Sequence, residues 1–352
     1  RACRRNEVFR IAPKSFFLPE QLQNFKLYAQ MRPGFYIVKR ATAARGEGVK
    51  LVHSTDEFKA VEAVVQEYIP NPLLIGKRKF DLRLYVCVTS LQPLTVYLYK
   101  EGLTRFASQE YEQPTQENKR SKQIHLTNYS VNKEAGLEID EYKWSFSQVL
   151  TYLDQQRDQF ALPNQLQDQL PSELVLERIE KVIKLTLIAA EPELYSQSLA
   201  KNLLGLPNKQ FGFYGFDLMI LDDLQVKLVE VNVTPSTATE HEVDNVKFLM
   251  LRDMLQLVGV PAHIQQKELV IPKMKSKKSS SVGLREEIPE FRLKPGEKRW
   301  GDGARFQDKC CTELREQAAR QGAWKRLLPD SKFNQYFEVQ RKCNLIDYDD
   351  VK

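Results

Sequence analysis

The sequence predicts an α/β fold, and three observations support that prediction. Short apolar runs are typical of strands, and they cover residues 36–39, 64–69, 80–89 and 94–99. Longer stretches with apolar residues three or four positions apart predict helices over residues 144–160, 174–191 and 245–258. Near the middle of the chain, two apolar runs joined by Asp222 and Asp223 predict a β-hairpin.

The hairpin brings acidic and amide side chains together. Side chains alternate along a strand, so Glu230 and Asn232 share one face of the second strand. A turn centred on Asp223 and Leu224 places Asp217 opposite Glu230. Two carboxylates and an amide oxygen inside an apolar hairpin suit a hard cation such as Mg²⁺, which leaves its other positions to water and phosphate. The hairpin therefore predicts an enzyme that uses a nucleoside triphosphate; the alternative is a solvated hairpin that binds nothing.

The composition is that of an ordinary globular protein. The chain has 352 residues, 42% of them hydrophobic and 28% charged, which is enough for a large core or two lobes. Because the longest apolar runs fall short of about 18 residues, the sequence predicts no membrane-spanning helix. The odd number of cysteines does not predict a disulfide framework and indicates a reducing, intracellular compartment. The net charge of +6 suits an acidic partner, but ordinary scatter in surface charge explains it equally well.

Several familiar enzyme classes are excluded because their motifs are missing. The sequence has neither the GxxxxGK[ST] of a P-loop nor the HRD and DFG set of a typical protein kinase. It also lacks the GxSxG of hydrolases, any CxxC pair and any paired-His zinc motif.

Charged side chains follow one another at strand spacing just before the middle of the chain. Lys79, Asp81 and Arg83 are two positions apart, so they face one way while apolar residues face the other. This pattern predicts a lined cleft; the alternative is an edge strand that faces water. Arg105, which follows another strand, either clamps a carboxylate bidentately or pairs with a surface acid.

Two loops offer weaker signals for phosphate or ligand binding. The turn Gly46-Glu47-Gly48 would let backbone N–H groups approach phosphate, or it is a plain hairpin turn. Lys39, on the strand before that turn, either reaches phosphate or is solvated. The polar hexad of residues 125–130 either presents amide and hydroxyl groups to a ligand or caps a turn.

Taken in order, these motifs resemble the tubulin tyrosine ligase-like family of ATP-grasp ligases. The matching segments lie between residues 8 and 260, and they are Lys39, the glycine turn, Gln66-Glu67-Tyr68-Ile69, residues 79–83, Arg105-Phe106-Ala107-Ser108, residues 125–133, Asp217, Glu230 and Asn232. Residues 83–86 and 101–108 are most similar to the glutamylase branch of that family. The resemblance implies an ATP-grasp fold, in which two α+β subdomains enclose Mg-ATP.

The resemblance also implies a role for each matching residue. The residues expected to hold the phosphates and ribose of ATP are Lys39, Arg45, Gly46, Lys79, Asp81, Thr127 and Asn128. The hinge expected to face adenine is Gln66, Glu67, Tyr68 and Ile69. The expected ligands of Mg²⁺ are Asp217, Glu230 and Asn232, and the expected contacts of free glutamate are Arg105, Ser130 and Lys143. The residues expected to act directly in catalysis are Arg83, Arg105 and Glu230.

The sequence departs from the family pattern in three places. Arg40 follows Lys39 where proline is usual, and Glu47 stands between the glycines where glutamylases usually have arginine. An acid beside a triphosphate is unfavourable unless it points away or meets a cation. We also expect most of the N-terminal lobe that precedes the ATP-grasp core to be missing from this sequence.

Composition and the family pattern divide the chain into five expected parts. They are a remnant of the N-terminal lobe (1–33), a central ATP-grasp subdomain (34–78), a C-terminal ATP-grasp subdomain with the hairpin (79–260), a basic linker (261–300) and a C-terminal helical extension (301–352). Further helices are expected over 54–64 and 310–328. The linker lysines 273, 275, 277 and 278 and the cluster Trp324-Lys325-Arg326 would attract an acidic partner; the alternative for the linker is a disordered spacer.

The function implied by the resemblance is ATP-dependent polyglutamylation of a protein, tubulin above all. Free L-glutamate would be joined to glutamate side chains of an acidic tail through an acyl-phosphate intermediate, with ATP and Mg²⁺ as cofactors. One alternative is a microtubule- or axoneme-associated structural protein that keeps the fold without turnover. Another is an ATP-grasp ligase for a different acidic protein. We expect no nucleic-acid or membrane partner, and a location in the cytoplasm and cytoskeleton, including the cilium, axoneme or basal body.

Overall fold

The protein is built on two antiparallel sheets. The computed structural model describes residues 10–40, 48–58, 61–91, 93–127, 143–160, 162, 166–201, 211–239, 242–260 and 304–330. The smaller sheet has four strands in the order β1-β4-β2-β3, which are β1 (Ser15–Leu18), β2 (Phe35–Arg40), β3 (Val49–His53) and β4 (Ala63–Glu67). Helix α1 (Leu22–Met31) covers one face of it, because Phe25 and Ala29 pack against Phe16, Tyr36 and Val65.

The larger sheet has seven strands and carries the main core. Its central path is β10-β9-β6-β7-β11, with β5 beside β6 and β8 beside β7. The strands are β5 (Leu74–Ile75), β6 (Arg78–Leu91), β7 (Leu94–Phe106), β8 (Lys143–Ser145), β9 (Gly212–Ile220), β10 (Val226–Asn232) and β11 (Trp324–Leu328). The two sheets, together with the helices of the chain, fit the predicted α/β class.

Helices cover the two faces of the larger sheet unequally. The helices are α2 (Lys122–His125), α3 (Phe146–Gln155), α4 (Pro171–Ala200), α5 (Asn245–Leu257) and α6 (Ala304–Arg320), and single 3₁₀ turns span Arg157–Gln159 and Glu242–Asp244. Val149 of α3 and Ile183 of α4 lie in one core with Leu82 and Leu84 of β6. On the other face, α5 packs against Tyr85 and its neighbours only. Lys79, Asp81 and Arg83 of β6 lie outside this second apolar cluster. No helix within the described ranges is long and apolar enough to cross a membrane.

The predicted helices over 144–160, 174–191 and 245–258 are confirmed as α3, α4 and α5 with shifted ends. The helix predicted over 54–64 is wrong, because Ala63 begins strand β4 and residues 54–56 form a turn. The carboxylate of Asp56 accepts a hydrogen bond of 2.9 Å from the backbone N–H of His53, which stabilises the turn instead of a helix.

The helix predicted over 310–328 is also wrong in its second half. Helix α6 ends at Arg320, and Gly322, with a φ of +57°, turns the chain into strand β11. There Trp324 lies opposite Tyr99 of β7. Within the expected C-terminal helical extension, residues 324–328 are thus a strand of the larger sheet.

The three residues of the expected basic cluster at 324–326 differ in exposure, because only Lys325 is exposed and Arg326 is half-buried. Trp324 is fully buried, and Lys325 forms an ion pair of 2.5 Å with Glu180. The linker lysines 273, 275, 277 and 278 lie outside the described residues, so the linker remains a prediction.

Trp324→Ala should therefore destabilise the whole larger sheet. Removing a fully buried large aromatic side chain costs about 3–5 kcal/mol of unfolding free energy. The matched control is Phe248→Ala on α5, because Phe248 is 54% exposed; its loss should change the unfolding free energy by less than about 0.5 kcal/mol. Urea unfolding followed by circular dichroism measures both. Equal stability of the two variants would show that β11 is only loosely attached.

Candidate active site

Charged side chains cross the open half of the larger sheet in register. Asp217 of β9 lies opposite Glu230 of β10 on one side and opposite Arg83 of β6 on the other. In the neighbouring row, Arg105 of β7 lies opposite Asp81 of β6 and opposite Lys143 of β8. Residues directly opposite in antiparallel strands project from the same face. The sheet therefore gathers four of the predicted site regions on one surface.

Asp217 is the most strongly neutralised carboxylate of this surface. Arg83 donates to it in bidentate fashion, with Nη2 to Oδ2 at 2.9 Å, and Nη2 of Arg105 donates to Oδ2 at 2.8 Å. Burial alone would raise the pKa of Asp217, but the charges and hydrogen bonds of Arg105 and Arg83 hold that pKa well below its usual range. Asp217 is thus an anion at neutral pH although it is only 2% exposed.

Arg105 joins this carboxylate to a second one. Its Nε donates to Oδ1 of Asp81 at 2.9 Å, and its Nη2 also bonds to Oδ2 of Asp81. The buried position of Asp81 in a strand flanked on both sides excludes the alternative of a solvated edge strand. Among the described residues, Nη1 of Arg105 has no hydrogen-bond partner.

The predicted metal ligands are brought together as expected. Glu230 pairs with Asp217 across a bulge that follows Leu228, and Asn232 Nδ2 donates to Oε1 of Glu230 at 3.2 Å. Partial removal of water and the charge of Asp217 raise the pKa of Glu230. Within the described ranges, no group of three His, Cys, Asp or Glu residues is placed to hold a metal ion. The donor set of two carboxylates and one amide nevertheless fits Mg²⁺, which needs few protein oxygens.

Gly215 allows this arrangement by the absence of a side chain. It lies opposite Asn232, and a Cβ atom there would come within 2.8 Å of Cβ of Pro235 and 3.0 Å of Cδ of Arg83. A larger residue would push Arg83 away from Asp217.

Lys39 and the hinge connect the smaller sheet to this surface. Lys39 Nζ donates to the carbonyl of Val229 on β10 at 3.0 Å and to Oε1 of Gln66 at 3.2 Å. Glu67 turns its carboxylate away from the cleft, because Oε1 accepts a bond of 2.5 Å from Tyr28 on α1. The backbone of Glu67, and not its side chain, is therefore the part that would face a nucleotide. Ile69, the last residue of the hinge, is half-buried.

Lys79 and Tyr68 form a second contact between hinge and sheet. The ammonium of Lys79 lies 4.3 Å from the ring centroid of Tyr68 and donates to its hydroxyl at 3.2 Å. Burial lowers the pKa of Lys79 to about 7, with Asp81 opposing and Lys39 adding to the shift. Thr127, also buried, ends the described segment 93–127.

Lys143 is held by a residue that sequence reasoning missed. Its Nζ donates to Oδ1 of Asp244 at 2.6 Å, and Lys247 approaches the same oxygen at 3.0 Å. The two lysines hold the pKa of Asp244 below its usual range, although burial opposes this. Asp244 immediately precedes helix α5, but no local pattern links it to Lys143, which is 101 positions away.

Five residues of interest lie outside the described residues. They are the predicted ATP contacts Arg45, Gly46 and Asn128, the predicted glutamate contact Ser130, and the unusual Glu47. Their roles stay predictions.

The depressed pKa of Lys79 predicts a pH-dependent stability. Its folded pKa of about 7 lies below its unfolded value of about 10.4, so between these values the folded protein binds fewer protons than the unfolded one. Below pH 7 the charged form of Lys79 therefore lowers the free energy of unfolding by its full amount. This loss of stability disappears as the pH rises toward 10. The free energy of unfolding of Lys79→Met should exceed that of the wild type most near pH 6, and by progressively less as the pH rises to 9.5. Urea unfolding of both proteins at several pH values measures this, and a pH-independent difference would contradict it.

Comparison with known proteins identifies the family of this chain. Residues 1–268 match the tubulin-tyrosine ligase family. Tubulin polyglutamylase TTLL5 of Homo sapiens is 40% identical over 266 residues, which are 72% of this chain and 19% of the relative. Tubulin monoglutamylase TTLL4 of Homo sapiens is 36% identical over 262 residues, 71% of this chain and 21% of the relative. A probable beta-tubulin polyglutamylase of Tetrahymena thermophila is 28% identical over 357 residues, 96% of this chain and 28% of the relative.

The matched family is the same one that the motifs of this sequence resemble. The chain spans only about a fifth of the length of the human relatives named here. The family match nevertheless covers every strand of the two sheets except β11, and therefore every residue of the charged surface. The chain belongs to the tubulin-tyrosine ligase family, in its glutamylase branch.

Proposed function

We propose that this chain carries the catalytic region of an ATP-dependent tubulin glutamylase with an ATP-grasp architecture. The observation that supports this most strongly is the single surface on which Asp217 and Glu230 meet Arg105 and Lys143, with Lys39 reaching it from the smaller sheet. It combines carboxylates for a metal with cations for phosphate and for a free amino acid. The named relatives act on tubulin, which supports an acidic tail as the acceptor and a cytoskeletal location.

The reaction we propose joins an amine to a carboxylate at the expense of ATP. A side-chain carboxylate of the protein substrate takes the γ-phosphoryl group of ATP, which yields an acyl phosphate and ADP. The amine of free glutamate then attacks the acyl carbon, an amide bond forms, a proton leaves the nitrogen, and inorganic phosphate departs with the electron pair of the C–O bond. A bound Mg²⁺ would neutralise charge on the phosphate oxygens.

The residues of this chain have different proposed roles, which follow from their charge and position. Asp217, Glu230 and Asn232 would hold the metal. Lys39 and Lys79 would bind the phosphates from the two sheets, and the backbone of residues 66–69 would face adenine. Nη1 of Arg105 and the ammonium of Lys143 would orient free glutamate by its carboxylates, which places its amine. Arg83 would keep Asp217 ionised and in place.

A second candidate function is a microtubule-bound protein without turnover. One observation favours it: Arg83 and Arg105 together neutralise Asp217, so the fold does not require a cation at that carboxylate. Measurement of glutamate incorporation separates the two candidates, because only the enzyme incorporates glutamate.

Glu230→Gln should abolish ligation while the protein stays folded. The change removes the charge that a metal needs, but it keeps the size of an exposed side chain. The assay is ATP-dependent transfer of labelled glutamate to microtubules, with circular dichroism as the fold test. Glu110→Gln, a change of the same kind at a side chain that is 66% exposed, serves as the control and should keep full activity. Full turnover by the Glu230 variant would remove it from the metal site.

Arg105→Lys should impair the use of glutamate in particular. Lysine keeps a positive charge beside Asp81 and Asp217 but loses the guanidinium fork that can bind a further carboxylate. Loss of a charge-assisted hydrogen bond of about 1.5–3 kcal/mol corresponds to a fall in kcat/KM for glutamate of roughly tenfold to a hundredfold. The KM for ATP should change much less. Unchanged glutamate kinetics would mean that Arg105 serves only the two aspartates.

A further inference from the structure

A chain of four polar side chains leads from Lys79 to a surface loop. Lys79 Nζ lies 3.2 Å from the hydroxyl of Tyr68, that hydroxyl lies 3.0 Å from Nδ1 of His125, and Nε2 of His125 lies 3.2 Å from Oδ1 of Asn118. Lys79, Tyr68 and His125 are all buried. Asn118 belongs to the loop of residues 109–121, which we call the clasp loop.

The direction of every bond in this chain follows from its far end. The backbone N–H of Thr115 donates to Oδ1 of Asn118 at 2.8 Å, which identifies Oδ1 as an acceptor. Nε2 of His125 must then carry a hydrogen, so Nδ1 of the neutral ring accepts. The hydroxyl of Tyr68 is the donor that contacts Nδ1. Its oxygen is therefore turned toward the ammonium of Lys79.

The protonation states agree with this direction. Burial, together with the nearby charge of Lys79, lowers the pKa of His125 to about 4, so the ring is neutral at pH 7. Burial raises the pKa of Tyr68, so its hydroxyl stays protonated. Among the described residues, the ammonium of Lys79 has no hydrogen-bond partner other than the hydroxyl of Tyr68. The position of the ammonium thus depends on Tyr68, whose hydroxyl accepts from it and whose ring centroid lies 4.3 Å away.

The clasp loop is also tied to the smaller sheet and to the hinge. Lys119, next to Asn118, places Nζ 2.7 and 2.8 Å from the carboxylate oxygens of Asp56, which follows strand β3. At the root of the loop, the hydroxyl of Tyr111 and Nε2 of Gln113 both donate to the carbonyl of Pro70, at 2.7 and 3.0 Å. Neighbouring residues of one loop therefore reach the smaller sheet and the buried lysine of the larger sheet.

We propose that the clasp loop positions Lys79 for the phosphates of ATP and makes that position depend on the placement of the smaller sheet. His125, Asn118 and Lys119 are then positioning residues for the reaction, whereas Lys79 touches the nucleotide. The inference rests on the proposed function, because it takes ATP as the ligand of Lys79. When the smaller sheet is held by the Lys119–Asp56 pair, the chain through Asn118 and His125 keeps the hydroxyl of Tyr68 under the ammonium.

The chain offers a matched pair of variants to test this. Lys119→Gln breaks the contact with Asp56, whereas Lys77→Gln removes an equal charge from an exposed pair with Glu110 at 3.7 Å, at the root of the same loop. We expect Lys119→Gln to weaken binding of a fluorescent ATP analogue and to raise the KM for ATP about fivefold, as fits a half-buried ion pair. The KM for glutamate should stay unchanged. Lys77→Gln should behave like the wild type.

Three further variants test the route of the effect. The double variant Asp56→Lys, Lys119→Asp exchanges the two charges of the ion pair. It should restore most of the affinity for the ATP analogue that Lys119→Gln loses. Tyr68→Phe should weaken binding by itself, and adding Lys119→Gln to it should cause a smaller further loss than Lys119→Gln causes alone. Equal affinities of the Lys119 and Lys77 variants would overturn the proposal, and so would independent effects of Tyr68 and Lys119. Binding of ATP without transfer of glutamate to tubulin by the wild type would instead overturn the proposed function.

Discussion

The buried carboxylate of Asp217 is the constraint around which this molecule is arranged. A charge that is nearly excluded from water must be compensated, and removing one partner of such a group costs about 3–5 kcal/mol. Arg83 and Arg105 supply that compensation from two different strands. Their positions are fixed in turn by the strand register, by the closeness that Gly215 permits, and by Asp81. The larger sheet therefore has to be formed correctly before its charged surface exists.

The same surface accounts for the relation between the two sheets. Lys39 reaches across from β2 to the carbonyl of Val229, and Tyr68 reaches from the hinge to Lys79. Burial removes the ammonium groups of both lysines from water, and this lowers their pKa values. A polyanion placed between the sheets would relieve the mutual repulsion of the lysines and strengthen their attraction to the cleft. Under the proposed function, phosphate would bind on the lysine side of this cleft and a cation on the carboxylate side.

Local rules made much of this site predictable from sequence. Strand alternation correctly placed Lys79, Asp81 and Arg83 on one face, and the short acidic turn placed Asp217 opposite Glu230. The contacts that were missed join distant segments, as Asp244 joins Lys143 and Asp56 joins Lys119. A helical spacing of apolar residues continues past Gly322, but the chain turns at this glycine and forms strand β11. Packing, and not propensity, decides such cases.

The transfer of oxygen from the acceptor to phosphate tests the central claim most directly. An acidic tail peptide with ¹⁸O in its side-chain carboxylates would be incubated with this protein, ATP, Mg²⁺ and free glutamate. Mass spectrometry would then follow both the peptide and the released phosphate. The account predicts one added glutamate for each ADP formed, with one ¹⁸O atom carried into that phosphate. Unlabelled phosphate, or tubulin binding with no added glutamate, would contradict it.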